Sequence, residues 1–330
     1  MVKQHKNQDT PVEVRAQTSG HDILRTRLNA EVRSSRWSLS RAKSRDSNNN
    51  DFVSKREMLP VEKIENIYFK CEYFNLSGSV KDRGISFQVE KVLQSDAKSA
   101  VISSSGNAAI SAAYYCQMAG IDLQVFVSPK VNQAKLNILE KLGCKVTKTV
   151  KPISAAIKYA KENKSANLRQ STDPNAIFGY ENIAYELNEQ VPGIDAIFLP
   201  VSSGTTLAGI ACGFRKIGYL PSFHLVQTEA VHPLASLFDH KFIPRKESLA
   251  DAIVAKFTPR HDEILEIINK SKGFGWVISD KEMRNARHWL LLHDLNCSYE
   301  GAAALAAFWK AKKSGFKYHK PVCLLTGRFY

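Results

Sequence analysis

Four short segments carry residue types and spacings from which chemistry could be built. The first, Asn75-Leu76-Ser77-Gly78-Ser79-Val80-Lys81-Asp82-Arg83-Gly84, places a lysine after a glycine turn and at the head of an amphipathic stretch. The positive end of a helix dipole disfavours the ammonium form, and the neutral amine is the form that attacks a carbonyl. A surface lysine paired with Asp82 satisfies the same spacing. The second segment, Ser103-Ser104-Ser105-Gly106-Asn107-Ala108-Ala109, sets three hydroxyls, a glycine and an amide before a run of small residues. Hydroxyls and free N–H groups at a helix start suit a carboxylate, although one serine is enough for an ordinary N-cap. The third, Ser202-Ser203-Gly204-Thr205-Thr206, reads as a strand-to-helix turn whose backbone N–H groups can cradle a phosphate. It has neither the lysine of a Walker loop nor a GxGxxG pattern, so the phosphate of a bound cofactor fits better than one being transferred. The fourth, Thr326-Gly327-Arg328, puts a further hydroxyl at a strand end.

These segments need a scaffold, and the chain supplies the pattern for one. Short apolar runs occur at Ile67–Cys71, Ala100–Ile102, Leu123–Val127, Ala196–Val201, Phe223–Val226 and Val322–Leu325, with helical stretches between them. One such stretch, Gly84 to Leu93, gathers Ile85, Val89, Val92 and Leu93 on one face. Strand and helix in alternation predict an α/β protein with mostly parallel sheets covered by helices. In such sheets ligands bind where strands end and loops lead into helices, which is where all four segments lie.

At 330 residues and 44% hydrophobic composition the chain can bury a substantial core, and two lobes are expected, 51–172 and 173–330. Residues 1–50 hold ten Lys or Arg against five Asp or Glu and few large apolar side chains, the composition of a flexible basic arm. No run approaches the roughly 18 to 20 apolar residues of a membrane span, and the polar start lacks a secretion signal's apolar core. The six cysteines stand singly, with no metal-ligand spacing, as in a reducing cytoplasm, and no metal site is expected. The net charge of +14 attracts anions of any size, but no nucleic-acid motif accompanies it. Lys158, Lys161 and Lys164 have the spacing of a solvated face.

Taken in order, the segments resemble the fold-type II pyridoxal-phosphate (PLP) enzymes: threonine synthase, cysteine synthase, the threonine and serine dehydratases and tryptophan synthase β. The resemblance runs from about Glu57 to Thr326. It implies a two-lobe fold, PLP as cofactor, and Lys81 as the Schiff-base and catalytic lysine. It also implies Ser104, Ser105, Gly106 and Asn107 as the loop for the substrate carboxylate, with Asn107 also bonded to the pyridine 3'-oxygen. Ser202, Ser203, Gly204, Thr205 and Thr206 become the phosphate cup, and Thr326 the partner of the pyridine nitrogen. Within the family, Asp82-Arg83-Gly84, Ser105-Gly106-Asn107-Ala108-Ala109 and Gly179 to Leu187 look more like threonine synthase, which makes threonine from O-phosphohomoserine by elimination and water addition, than like cysteine synthase. Val80 points instead toward cysteine synthase-type β-replacement, and a serine or threonine dehydratase shares the scaffold. A catalytically silent binding protein is the alternative of a different class, against which an intact Lys81 argues. The cup is short of glycine, Ala252 stands where Asp-Gly-Ile is usual, and Glu57-Met58-Leu59 replaces Thr-Pro-Leu. A small amino acid is the expected partner, without nucleic acid or membrane, in a cytoplasmic homodimer.

Overall fold

The computed structural model describes Met58 to Phe329 apart from Ser105 and Asn132, so the basic arm and Ser105 lie outside the described residues. The chain opens with a hairpin of β1 (Val61–Ile64) and β2 (Ile67–Cys71), paired antiparallel through a turn at Glu65 and Asn66. Helix α1 (Lys81–Leu93) follows. Next come β3 (Ser99–Ser103), α2 (Asn107–Ala119), β4 (Asp122–Val127), α3 (Gln133–Lys141), β5 (Lys145–Lys148), α4 (Pro152–Asn163) and β6 (Ala166–Asn167). After α5 (Asn175–Gln190) come β7 (Ala196–Pro200), α6 (Thr205–Ile217), β8 (Ser222–Thr228), α7 (His261–Lys270), β9 (Phe274–Ile278), α8 (Asp280–Leu292), α9 (Tyr299–Lys313) and β10 (Pro321–Leu325).

The strands form two sheets, β1-β2-β10-β7-β8-β9 and β5-β4-β3-β6, parallel throughout except for the opening hairpin. This is the mostly parallel α/β architecture expected from the alternation of strand and helix. All six apolar runs became strands, and the Gly84 to Leu93 face packs Ile85, Val89 and Val92 into the core of the smaller sheet. The larger sheet carries one apolar layer on each face, because its central strands β10 and β7 are buried on both sides. Lys158, Lys161 and Lys164 are exposed, as their spacing predicts.

Two close helix crossings tie the lysine segment to the candidate phosphate loop. Helix α5 passes α1 so closely that a Cβ on Gly179 would sit 2.0 Å from the Arg83 carbonyl oxygen. On its other side α5 meets α6, where a Cβ on Gly209 would lie 2.5 Å from the Tyr180 Cβ. Any side chain at either position would push the helices apart, so α1, α5 and α6 behave as one packed layer.

Candidate active site

Lys81 is the first residue of α1, and its main chain is held from two sides. Ahead of it, the Val80 N–H donates to the Thr326 carbonyl at 2.8 Å, and Ser79 bridges Gly327, so the lysine loop is sewn to the segment after β10. Behind it, Gln170 makes three connections. Its Nε2 reaches the Lys81 carbonyl at 3.5 Å, its Oε1 accepts from the Tyr180 hydroxyl at 2.9 Å, and its main-chain oxygen accepts from Thr205 Oγ1 at 3.3 Å. Asp82 does not pair with the lysine; its carboxylate turns back to the Ser77 N–H and hydroxyl. No carboxylate among the described residues forms an ion pair with Lys81, whose Nζ lies 6.0 Å from the centre of the Tyr180 ring. Burial without a counter-ion pulls its amine down to about 8.

The buried charges beside this segment are spent on one another. Arg83 is buried and forks onto Glu72 at 2.8 and 2.9 Å and onto both oxygens of Glu186. Lys70 donates to Glu186 at 2.6 Å and to Gln190 and the Leu59 carbonyl. Burial alone would raise the Glu186 carboxyl, but Arg83 and Lys70 hold it below the usual range. Two cations and two anions close this network, so none is left facing Lys81; removing one partner would strand a buried charge, at a cost of about 3–5 kcal/mol.

The two serine-rich loops lie at the ends of β3 and β7. After β7, Gly204 adopts φ +84° and caps α6, and a Cβ there would meet Ile264 Cδ1 at 2.0 Å. The hydroxyls of this loop are tied to protein: Ser202 Oγ accepts from the Val254 and Ala255 N–H groups, each at 3.2 Å, and Thr205 reaches Gln170. Thr258 holds the Ser203 carbonyl at 2.6 Å. The N–H groups of Ser203, Gly204, Thr205 and Thr206, by contrast, have no acceptor among the described residues. After β3, Ser104 Oγ accepts from the Gly106 N–H at 3.3 Å, while Ser103 Oγ and Asn107 Oδ1 are buried without a hydrogen-bond partner among the described residues. Orphaned buried groups are rare enough to need a reason.

One cavity of about 520 Å³ brings these groups together, within the range of small-molecule sites. Lys81, Ser104, Gly106, Asn107, Ser202, Ser203, Gly204, Thr206 and Thr326 all line it. Thr205 stands behind the wall through Gln170, and Ser105 lies outside the described residues. Asp251, Ala252 and Ile253 also line it, and the Ala252 N–H donates to Glu300 at 2.9 Å. Sequence reasoning did not single out Lys130, Lys135, Glu300 or Gln170. The partners of Lys135, Glu300 and Gln170 stand far away in the chain, so no local spacing could have marked them. Among the described residues no group of His, Cys, Asp or Glu could hold a metal, and no helix is long and apolar enough to cross a membrane.

Comparison with known proteins gives this cavity a context. Residues 54–327 match the family model described as "Pyridoxal-phosphate dependent enzyme". The chain is 27% identical to a catabolic L-threonine dehydratase of Staphylococcus aureus, over 73% of this chain and 71% of that one. It is also 27% identical to a threonine synthase of Methanocaldococcus jannaschii, over 80% of this chain and 70% of that one. Its fold is shared with a maize serine racemase at a TM-score of 0.72, with 20% identity over 83% of this chain and 90% of that one.

Proposed function

The chain belongs to the pyridoxal-phosphate dependent enzymes, and from that premise we propose a lyase of threonine synthase type, converting O-phosphohomoserine to threonine by elimination and water addition. The observation that carries the reading is Lys81: a half-buried amine on the cavity wall, with no carboxylate partner among the described residues and drawn down to about 8 by desolvation. A lysine retained for packing or for a surface ion pair has no use for such a site.

Support for the cofactor in this cavity comes from groups that the protein leaves without partners. The N–H groups of Ser203 to Thr206 make a positive cradle at the start of α6 for a phosphate, and Asn107 offers a buried amide whose oxygen is unpaired. Thr326 offers a neutral hydroxyl to the ring nitrogen, which therefore need not be protonated. When bound, PLP supplies the electron sink for the charge left on Cα after deprotonation.

The remaining work falls to side chains. Ser104, Ser105 and Gly106 hold the substrate carboxylate and so turn the Cα–H bond toward Lys81. Lys81 takes that proton and can return it; with its amine at about 8, roughly a tenth is neutral at pH 7, against well under a thousandth for an ordinary lysine. The tie between Val80 and Thr326 keeps the amine in place as its charge changes. A dehydratase shares the carboxylate hold and the Cα deprotonation by Lys81 but expels a β-hydroxyl, where threonine synthase chemistry expels a γ-phosphate and then adds water; the similarity to the staphylococcal dehydratase favours it as the second reading.

A direct assay tests the proposal: phosphate released from O-phosphohomoserine with threonine formed. If phosphate is not released while serine, threonine, or O-acetylserine with sulfide turns over, the threonine synthase reading is wrong.

A further inference from the structure

The loops at the carboxyl ends of β3, β4 and β5 line the cavity side by side. Gly106 and Asn107 follow β3, Lys130 and Lys135 follow β4, and Pro152 and Ile153 follow β5. Neighbouring strands lie about 4.8 Å apart, so these loops form successive steps along one wall. An amino acid held by its carboxylate at the first step therefore extends its side chain past the second.

That second step is cationic. Lys130 and Lys135 line the cavity, and Lys135 lies in the first turn of α3, where the helix dipole adds to its charge. A carboxylate already sits there. Both oxygens of Asp251 lie 2.9 Å from Lys135 Nζ, reaching over from the loop that follows Ala250, 116 residues away in sequence. The two partners are not held equally. The Lys135 side chain is 13% exposed and packed into the wall, whereas that of Asp251 is 56% exposed. The ammonium is the sheltered partner and the carboxylate the exposed one.

We infer that Lys135, assisted by Lys130, is the subsite for a second anionic group on the substrate's side chain, and that Asp251 occupies it until the substrate displaces it. The substrate class is an α-amino acid with a phosphate or carboxylate at the far end of a short apolar stem, the stem running along Phe126 and Ile153. This rests on the proposed function only in taking the cavity as a PLP site for an amino acid. The ion exchange moves no covalent bond: one anion replaces another, and Asp251 turns to solvent.

The test uses the full-length PLP-loaded protein and two non-reacting probes, L-2-amino-4-phosphonobutyrate and L-2-aminobutyrate, with binding read from the shift of the visible cofactor band. The phosphonate should bind more tightly by on the order of tenfold or more, the worth of one charge-assisted hydrogen bond. Lys135→Ala should erase that preference by weakening the phosphonate alone, and Lys135→Arg should restore part of it. Asp251→Asn, which removes the competing carboxylate, should tighten the phosphonate beyond wild type and leave aminobutyrate unchanged. Equal binding of the two probes, or a Lys135→Ala variant that weakens both alike or neither, overturns the subsite. Retained discrimination without phosphate release from O-phosphohomoserine keeps the subsite and removes the threonine synthase reaction.

Discussion

The loops after β3 and β7 start from nearly the same ingredients, a Ser-Ser-Gly turn leading into a helix of small residues, yet they differ in which side chains are occupied. In the loop after β7 the side chains are occupied. Ser202 holds the strap at Val254 and Ala255, Thr205 reaches Gln170, and the backbone N–H groups are left open. In the loop after β3 the side chains of Ser103 and Asn107 have no partner among the described residues. Backbone donors are rigid and indifferent to what the residue is, which suits a cofactor phosphate held through every turnover. Side-chain groups can be exchanged between states, which suits a substrate that arrives and leaves. The same sequence motif thus serves two tasks, and the tertiary partners decide which.

The comparison breaks most readily at Gly204. Gly204→Asp puts a Cβ against Ile264, forces a side chain into a left-handed conformation and adds a negative charge to the cradle. Cofactor affinity should fall about 100-fold or more, from strain of roughly one to two kcal/mol plus charge repulsion. Absorbance of the dialysed protein reads this, with circular dichroism to show that the chain still folds. Ser104→Ala, in the other loop, should spare cofactor content and raise KM roughly ten- to hundredfold, as for the loss of one hydrogen bond to a charged group. Equal loss of cofactor would show that the two loops do not divide the work.

Between the loops, Lys81 gives a pH signature. Burial depresses its amine, so the neutral form is present above about 8 and lost below it. The rate of PLP uptake by the cofactor-free protein should therefore fall about tenfold per pH unit below that point and level off above it. A break near the usual 10.5 would contradict the half-buried, unpaired amine. The smallest effect belongs to Ser202→Ala. Its hydroxyl serves Val254 and Ala255, which water can serve in its place, so cofactor content should hold and Tm should drop by about 2–4 °C.

Legibility in the sequence followed how local each signal was. The strands buried on both faces were readable as apolar runs, and the lysine, cup and Ser-Gly-Asn segments were readable because each is contiguous. Strand β1 (Val-Glu-Lys-Ile) and strand β5 (Lys-Val-Thr-Lys) lie at sheet edges, where one side faces water and the apolar run disappears. Strand β9 (Phe-Gly-Trp-Val-Ile) carries a glycine in its interior, which reads as a break; here it lets the 3₁₀ turn at Ala235 approach, a Cβ on Gly275 falling 2.9 Å from the Ala235 Cα. The site's long-range members were invisible for a different reason. Gln170, Lys135 and Glu300 gain their meaning only from Lys81, Asp251 and Ala252, which folding delivers from other parts of the chain.

The sewing of the lysine loop to the segment after β10 bears on how the protein is made. β10 is the central strand beside β2, yet it leaves the ribosome last of the described strands, and Thr326 follows Lys81 by about 245 residues. At roughly 5 to 20 residues per second, Lys81 waits about 12 to 50 s for the hydrogen bond that fixes its loop. Until then β2 has an open edge, and a nascent chain stalled short of β10 has both an unfinished cofactor site and a strand free to pair elsewhere.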